Sequence, residues 1–140
     1  MNKDINNIVD KEYNFNFKFS SEDLIWSEDD DLLNDKLLST SSLIEEIHKA
    51  AFEILSDYLG NDETSVVSNI KLTHLSLTPY DTNVYLKIIP EKIINNNIYF
   101  KGEAFDEINK IAEFNLIRTV VSKKYLKKQK EEKIKTINKI

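Results

Sequence analysis

One helical segment followed by four strand-like segments constrains the fold of this chain most strongly. Between residues 42 and 58, apolar residues recur at helical spacing, and Ser42 with Glu45 resembles a capping box. Gly60 then predicts the end of this helix. Residues 66–77, 84–89, 98–106 and 111–122 show the alternation and the β-branched and aromatic content of strands.

A fifth strand is predicted ahead of the helix, because aromatic residues alternate with Asn and Lys over residues 13–19. Turn residues at 78–81, 95–97 and 106–110 join the later strands into a meander. The pattern predicts an α+β domain in which a five-stranded antiparallel sheet wraps around one central helix, the hotdog arrangement. We assign a flexible N-terminus to residues 1–12, the hotdog domain to 13–122, and a basic, partly helical tail to 123–140.

A long polar connection, residues 20–38, separates the first strand from the helix. Connections of this length in small domains are usually lids or binding loops, and Trp26 lies at its apolar centre. Its acidic run lacks the glycine and the closing glutamate of a calcium loop, so we interpret it as solvated surface.

Composition excludes several classes of protein. With no cysteine the chain has no disulfide and no thiolate zinc site, which fits a cytoplasmic protein, and its two histidines are too few for a metal centre. Two glycines leave no phosphate-binding loop. No apolar run is long enough to span a membrane, and the first ten residues lack the apolar centre of a signal peptide.

The net charge of −5 hides an asymmetry. Residues 123–140 carry +6 and the rest of the chain carries −11. The acidic body argues against nucleic-acid binding. The basic tail is interpreted as a solvated helix, with an anionic partner as the alternative.

The candidate chemistry lies in two histidines and a hydroxyl. His74 sits where the apolar alternation of its strand changes phase, which predicts a β-bulge beside a site. His48 lies on the edge of the apolar arc of the helix. Thr40 lies just before the predicted helix, where a hydroxyl either caps the helix or faces a ligand at the free amides.

These residues resemble a known family. Residues 39–48 (STSSLIEEIH) and 69–79 (NIKLTHLSLTP) are similar to the hotdog-fold fluoroacetyl-CoA thioesterases, and the similarity extends over about residues 13–128. The resemblance implies hydrolysis of short acyl-CoA thioesters without a separate cofactor, in a homodimer with two sites at its interface. It places the family threonine on Thr40 and the family histidine on His74.

The sequence departs from the family at one catalytic position. The family glutamate falls on His48, and Asp81, Val67 and the pair Leu116-Ile117 also differ from the family pattern. An imidazole can act as a base near neutral pH, but it does not orient a second imidazole as a carboxylate does. The departures also argue against specificity for a fluorinated two-carbon acyl group.

Two hypotheses for function follow, with a third behind them. The first is a thioesterase acting on a small or medium acyl-CoA through Thr40, His48 and His74, with no nucleic-acid or membrane partner. The second is a non-catalytic module that binds an acyl-CoA or another acyl ligand. The third is an interaction role for the basic tail. Basic groups for the CoA phosphates are expected among Lys71, Lys101, Arg118 and Lys123.

Overall fold

The computed structural model describes residues 4–140; residues 1–3, which belong to the predicted N-terminal segment, lie outside the described residues. The elements run β1 (Tyr13–Phe19), α1 (Thr40–Ser56), β2 (Glu63–His74), β3 (Thr82–Ile94), β4 (Asn97–Phe105), β5 (Lys110–Ser122) and α2 (Lys123–Asn138). Short 3-10 turns occur at Ile5–Ile8, Glu22–Leu24 and Leu33–Asp35.

The five strands form one antiparallel sheet in the order β1-β3-β4-β5-β2. The sheet packs around α1, so the predicted hotdog fold is confirmed. Leu43, Ile47, Ala51 and Leu55 of α1 are fully buried against inward-facing residues such as Ile88. Burying each large aliphatic side chain contributes about 1.5–3 kcal/mol, which makes this helix-to-sheet core the main stabilising contact of the domain.

The core also includes residues that the sequence pattern did not reveal. Ile5 and Ile8 of the first 3-10 turn are buried with the α1 and sheet residues. By contrast, no residue of α2 is buried. Within residues 4–140, no helix is both long enough and apolar enough to cross a membrane.

The boundaries of α1 differ from the sequence prediction. The helix begins at Thr40 rather than Ser42, because the Ser39 hydroxyl accepts a hydrogen bond from the Ser42 amide and caps the first turn. The predicted capping box is therefore wrong. The helix ends at Ser56 with Asp57 as its C-cap, and no glycine has a positive φ, so Gly60 is not the helix stop.

Directly after His74 the pairing with β5 becomes irregular, as predicted, because the Leu75 and Ser76 amides both donate to the Ile111 carbonyl, at 2.7 and 3.2 Å, which is the two-against-one contact of a bulge. The register of β2 against β5 shifts between Val67 and Asn69, and β2 ends at His74. Leu75 and Leu77 are therefore exposed loop residues rather than the opposite face of a continuing strand.

The strand registers define two ends of the sheet. Phe19 and His74 close one end, where α1 also begins, and we call this the Thr40 end. Glu63 pairs with Ser122 at the other, the Ser122 end, from which α2 departs.

Candidate active site

The N-terminus of α1 is held in place by the segment before it. The Ser39 amide donates to the Leu24 carbonyl at 3.0 Å, and the Leu38 amide donates to the Thr78 carbonyl at 3.0 Å. Trp26 donates its backbone amide to the Leu37 carbonyl at 2.7 Å. Thr40, the first residue of the helix, is thereby fixed against the loop that follows β2.

Thr40 and His74 are in direct contact. Thr40 Oγ1 lies 2.7 Å from His74 Nδ1, although the two residues are 34 apart in sequence. With the imidazole proton on Nε2, the threonine hydroxyl donates to Nδ1, which is the arrangement of a hydroxyl nucleophile and its general base. The two predicted site residues at this end are therefore brought together.

A cleft of about 340 Å³ opens beside this pair. Five of its lining residues are apolar, and they come from the segment before α1 and from the loop after β2: Trp26, Leu37, Leu38, Leu75 and Leu77. The Trp26 indole is fixed by donating from Nε1 to Glu28 Oε1 at 3.0 Å. The cleft suits an apolar group attached to a polar reacting centre.

The helix start supplies hydrogen-bond donors next to the hydroxyl. Within residues 4–140, the amides of Thr40 and Ser41 have no acceptor, whereas the Ser42 amide donates to Ser39. Free amides of this kind stabilise negative charge at a helix N-terminus. An oxyanion that develops beside Thr40 would therefore meet donors that need no rearrangement.

His74 is electrostatically suited to act as a base. Burial lowers its pKa below the ordinary 6.5, and a weaker interaction with the Ser76 backbone opposes this. Among the described residues its buried Nε2 has no hydrogen-bond partner. The ring is therefore neutral near pH 7, with Nδ1 turned to Thr40.

His48 does not join this pair within one chain. It lies eight residues after Thr40, about 12 Å farther along the helix axis, and it does not line the cleft. Burial, and next the charge of Arg118, lower its pKa, while Glu45 opposes them. Its Nδ1 is buried and has no partner within residues 4–140.

Arg118 is a buried cation that links neighbouring elements of the fold. Its guanidinium is buried and donates to the Ser65 hydroxyl at 2.9 Å, the Ser65 carbonyl at 2.8 Å and the His48 carbonyl at 3.2 Å. It also lies over the Phe52 ring. These bonds turn the guanidinium inward, which argues against a CoA-phosphate contact by Arg118.

The expected lysine contacts also lie away from the cleft. Lys71 and Lys101 line a separate groove of about 570 Å³ on the outer face of the sheet. Lys123 begins α2 at the Ser122 end. In the part of the chain that the structure describes, no three His, Asp or Glu side chains are grouped to hold a metal ion.

Sequence reasoning missed the contribution of Leu75 and Leu77 to the cleft. Both were interpreted as strand residues, yet they line the opening beside His74 and are 49% and 61% exposed. The signal was present in the change of phase after His74. A change of phase in the apolar alternation occurs both at a bulge and at the end of a strand, so it did not show that β2 ends at His74.

Comparison with known proteins identifies the family. Residues 20–124 match the family described as FlK, fluoroacetyl-CoA-specific thioesterase. The chain belongs to this family. No significant match is found among curated proteins.

Solved structures agree with the family in fold. A hot-dog-like protein from Thermanaerovibrio acidaminovorans superposes with a TM-score of 0.84 at 22% identity, covering 94% of this chain and 97% of the other. A thioesterase superfamily member from Thermus thermophilus superposes with a TM-score of 0.82 at 14% identity, covering 94% of this chain and 96% of the other. The fluoroacetyl-CoA thioesterase FlK superposes with a TM-score of 0.79 at 16% identity, covering 89% of this chain and 96% of the other.

Proposed function

We propose that this chain is an acyl-CoA thioesterase that hydrolyses a small or medium acyl-CoA to the free acid and CoA. The observation that carries the proposal is the 2.7 Å contact between Thr40 Oγ1 and His74 Nδ1 beside the apolar cleft. Membership of a thioesterase family supports the reaction type.

In the proposed reaction Thr40 Oγ1 attacks the thioester carbonyl while His74 Nδ1 accepts the hydroxyl proton. The free amides of Thr40 and Ser41 stabilise the tetrahedral oxyanion. The carbon–sulfur bond then breaks, the proton passes from His74 to the sulfur, and CoA leaves as the thiol. Water hydrolyses the acyl-threonine ester, and its proton returns through an imidazole to Thr40 Oγ1.

The cleft favours an apolar acyl group. Trp26, Leu37, Leu75 and Leu77 surround the space next to Thr40, and a cavity of about 340 Å³ has room for more than two acyl carbons. Variants of the FlK enzyme have been solved in complex with fluoroacetate and CoA and in complex with acetyl-CoA. Because this chain has Asp81, Val67 and His48 at departing positions, we extend only the thioester chemistry to it and not the fluorinated substrate.

We further propose that His48 acts across a homodimer. Among the described residues, no strand pairs with the outer edge of β2, and such an edge is a ready site for sheet pairing. Antiparallel pairing of two β2 edges sets the His74 end of one strand against the Glu63 end of the other. Arg118 bonds both Ser65 and the His48 carbonyl, so His48 lies close to that second end and would approach the partner's Thr40–His74 pair.

A second candidate is a module that binds acyl-CoA without turnover. The observation that favours it is the imidazole of His48 at the position of the family glutamate. Two neutral imidazoles lack the fixed negative charge that orients and stabilises a charged histidine in a hydrolytic site. Tight CoA binding with no thiol release over a broad acyl panel would support this candidate.

The test is release of CoA thiol from acyl-CoAs of two to twelve carbons. Thr40→Val removes the hydroxyl and keeps the shape, and we expect kcat/KM to fall by at least about 100-fold. Thr40→Ser, the matched control, keeps the hydroxyl and should retain most of the activity. Equal activity in wild type and Thr40→Val would overturn the proposed mechanism.

A further inference from the structure

The C-terminal basic helix forms a charged surface that the proposed reaction does not use. Residues 123–140 carry +6, and no residue of α2 is buried. Large apolar side chains are nevertheless exposed there: Tyr125 is 56% exposed, Ile134 47% and Ile137 56%. A surface that combines lysines with exposed isoleucines suits a partner that is both anionic and partly apolar.

The acidic segment, residues 22–36, has the complementary character. It carries seven carboxylates and one lysine, a net −6, and Lys36 pairs with Glu22 at 3.3 Å. Leu32 and Leu33 are 39% and 40% exposed in the same segment. The segment lies beside the proposed site, because Trp26 and Leu37 line the cleft.

The two surfaces lie at opposite ends of one chain. The acidic segment is at the Thr40 end of the sheet, and the basic helix departs from the Ser122 end. The strand between these ends, β2, has 12 residues and spans about 40 Å, at about 3.4 Å per residue. The basic helix has 16 residues and is only about 24 Å long.

Antiparallel pairing of two β2 edges brings the basic helix of one chain close to the acidic segment of the other. It sets the Ser122 end of one chain beside the Thr40 end of the other, so each basic helix begins next to the other chain's acidic segment. We infer that the basic helix of each chain docks on the acidic segment of a second copy, at the rim of the Thr40–His74 cleft. The inference rests on the homodimer in the proposed function and adds a second, charge-matched contact to it.

The docking has a consequence for the substrate. CoA is polyanionic, and the acidic segment beside the cleft repels it at low ionic strength. A basic helix from the second copy neutralises that rim. We therefore expect removal of residues 127–140 to raise KM for acyl-CoA at low salt, with little change in kcat.

Because the native chain has no cysteine, the contact can be trapped with single engineered thiols. Asp30→Cys is mixed with Lys127→Cys, and separately with Lys130→Cys, and each mixture is oxidised mildly. We expect a disulfide-linked dimer between the two different chains. Asn96→Cys, in the exposed β3–β4 turn at the Ser122 end, replaces Asp30→Cys as the matched control and should link at least about tenfold less.

Charge exchange tests the same contact without a disulfide. Asp29→Lys with Asp30→Lys should weaken the dimer at least about tenfold at low salt, measured by analytical ultracentrifugation. Adding Lys127→Glu and Lys130→Glu to those changes should restore the dissociation constant to within about threefold of wild type.

The outcomes separate this inference from the proposed function. A dimer that hydrolyses acyl-CoA but shows neither the disulfide nor the charge rescue overturns the docking and leaves the thioesterase intact. Binding of the basic helix to phosphatidylserine vesicles, without either signal, assigns it instead to a membrane surface. A monomer at all concentrations overturns the docking together with the homodimer.

Discussion

At the residue scale, the molecule brings two of the three candidate side chains into contact. The family resemblance and the chemistry of the residues were enough to single out Thr40 and His74, which meet at 2.7 Å. The position of His48 in space could not be predicted in the same way. A helical periodicity places it on the edge of the apolar face, but it does not say which chain that edge meets.

The two histidines lead to a prediction about pH. Burial lowers both pKa values below 6.5, so each folded-state imidazole releases its proton more readily than in the unfolded chain. The unfolded state therefore binds more protons just below pH 6.5, and stability falls as pH drops through that window. Activity should be flat near pH 7 and fall only below 6.5, because protonated His74 cannot accept the Thr40 proton.

Imidazole titration by NMR checks this directly, since the spectrum contains only two histidines. His74→Asn assigns the two signals. Midpoints above 6.5 for both would contradict the buried, neutral imidazoles that the mechanism requires.

At the element scale, the order of strands and helix followed from periodicity, but the irregularities did not. Alternation identifies a strand without fixing where its pairing slips, so the register shift between Val67 and Asn69 was not predicted. Similarly, residues 39–42 all carry hydroxyl groups, so the sequence offered several possible N-caps for α1. Ser39 decides that α1 starts at Thr40, because its hydroxyl caps the first turn and its amide donates to the Leu24 carbonyl.

Gly102 provides a test of packing between β4 and β5. A methyl group at this position would clash with the Phe114 ring and lie 2.7 Å from the Lys87 carbonyl oxygen. Gly102→Ala should therefore lower the free energy of unfolding by about 1–3 kcal/mol, measured by urea denaturation. Gly60→Ala is the control and should change it by less than about 1 kcal/mol, since Gly60 has no positive φ. Equal effects would contradict this packing.

Arg118 joins three elements, β5, β2 and α1, through its hydrogen bonds to Ser65 and His48. Arg118→Gln removes the charge and leaves buried acceptors unpaired, so we expect a loss of about 2–4 kcal/mol in unfolding free energy. The charge of Arg118 also lowers the pKa of His48, so that pKa should rise in the variant. An unchanged His48 titration would show that the guanidinium does not act on this imidazole.

At the scale of the whole molecule, the chain has acidic and basic surfaces, and within residues 4–140 no strand pairs with the outer edge of β2. The hotdog fold was predictable because a single helix needs a curved sheet to bury its apolar arc. The proposed sharing of the site between two chains was not predictable from periodicity, because a pattern within one chain carries no information about a second chain. The same limit applies to the basic helix, whose lysines at 123–140 indicate a partner class but not a docking place.

The most direct test mixes two inactive variants, His74→Ala and His48→Ala, after dissociation and reassociation of the chains. If Thr40 and His74 of one chain work with His48 of the other, each mixed dimer contains one intact site and one doubly altered site. Random pairing then predicts recovery of about a quarter of the wild-type thiol release from acyl-CoA. No recovery, or full activity of His48→Ala alone, would contradict a thioesterase site shared between two copies of this chain.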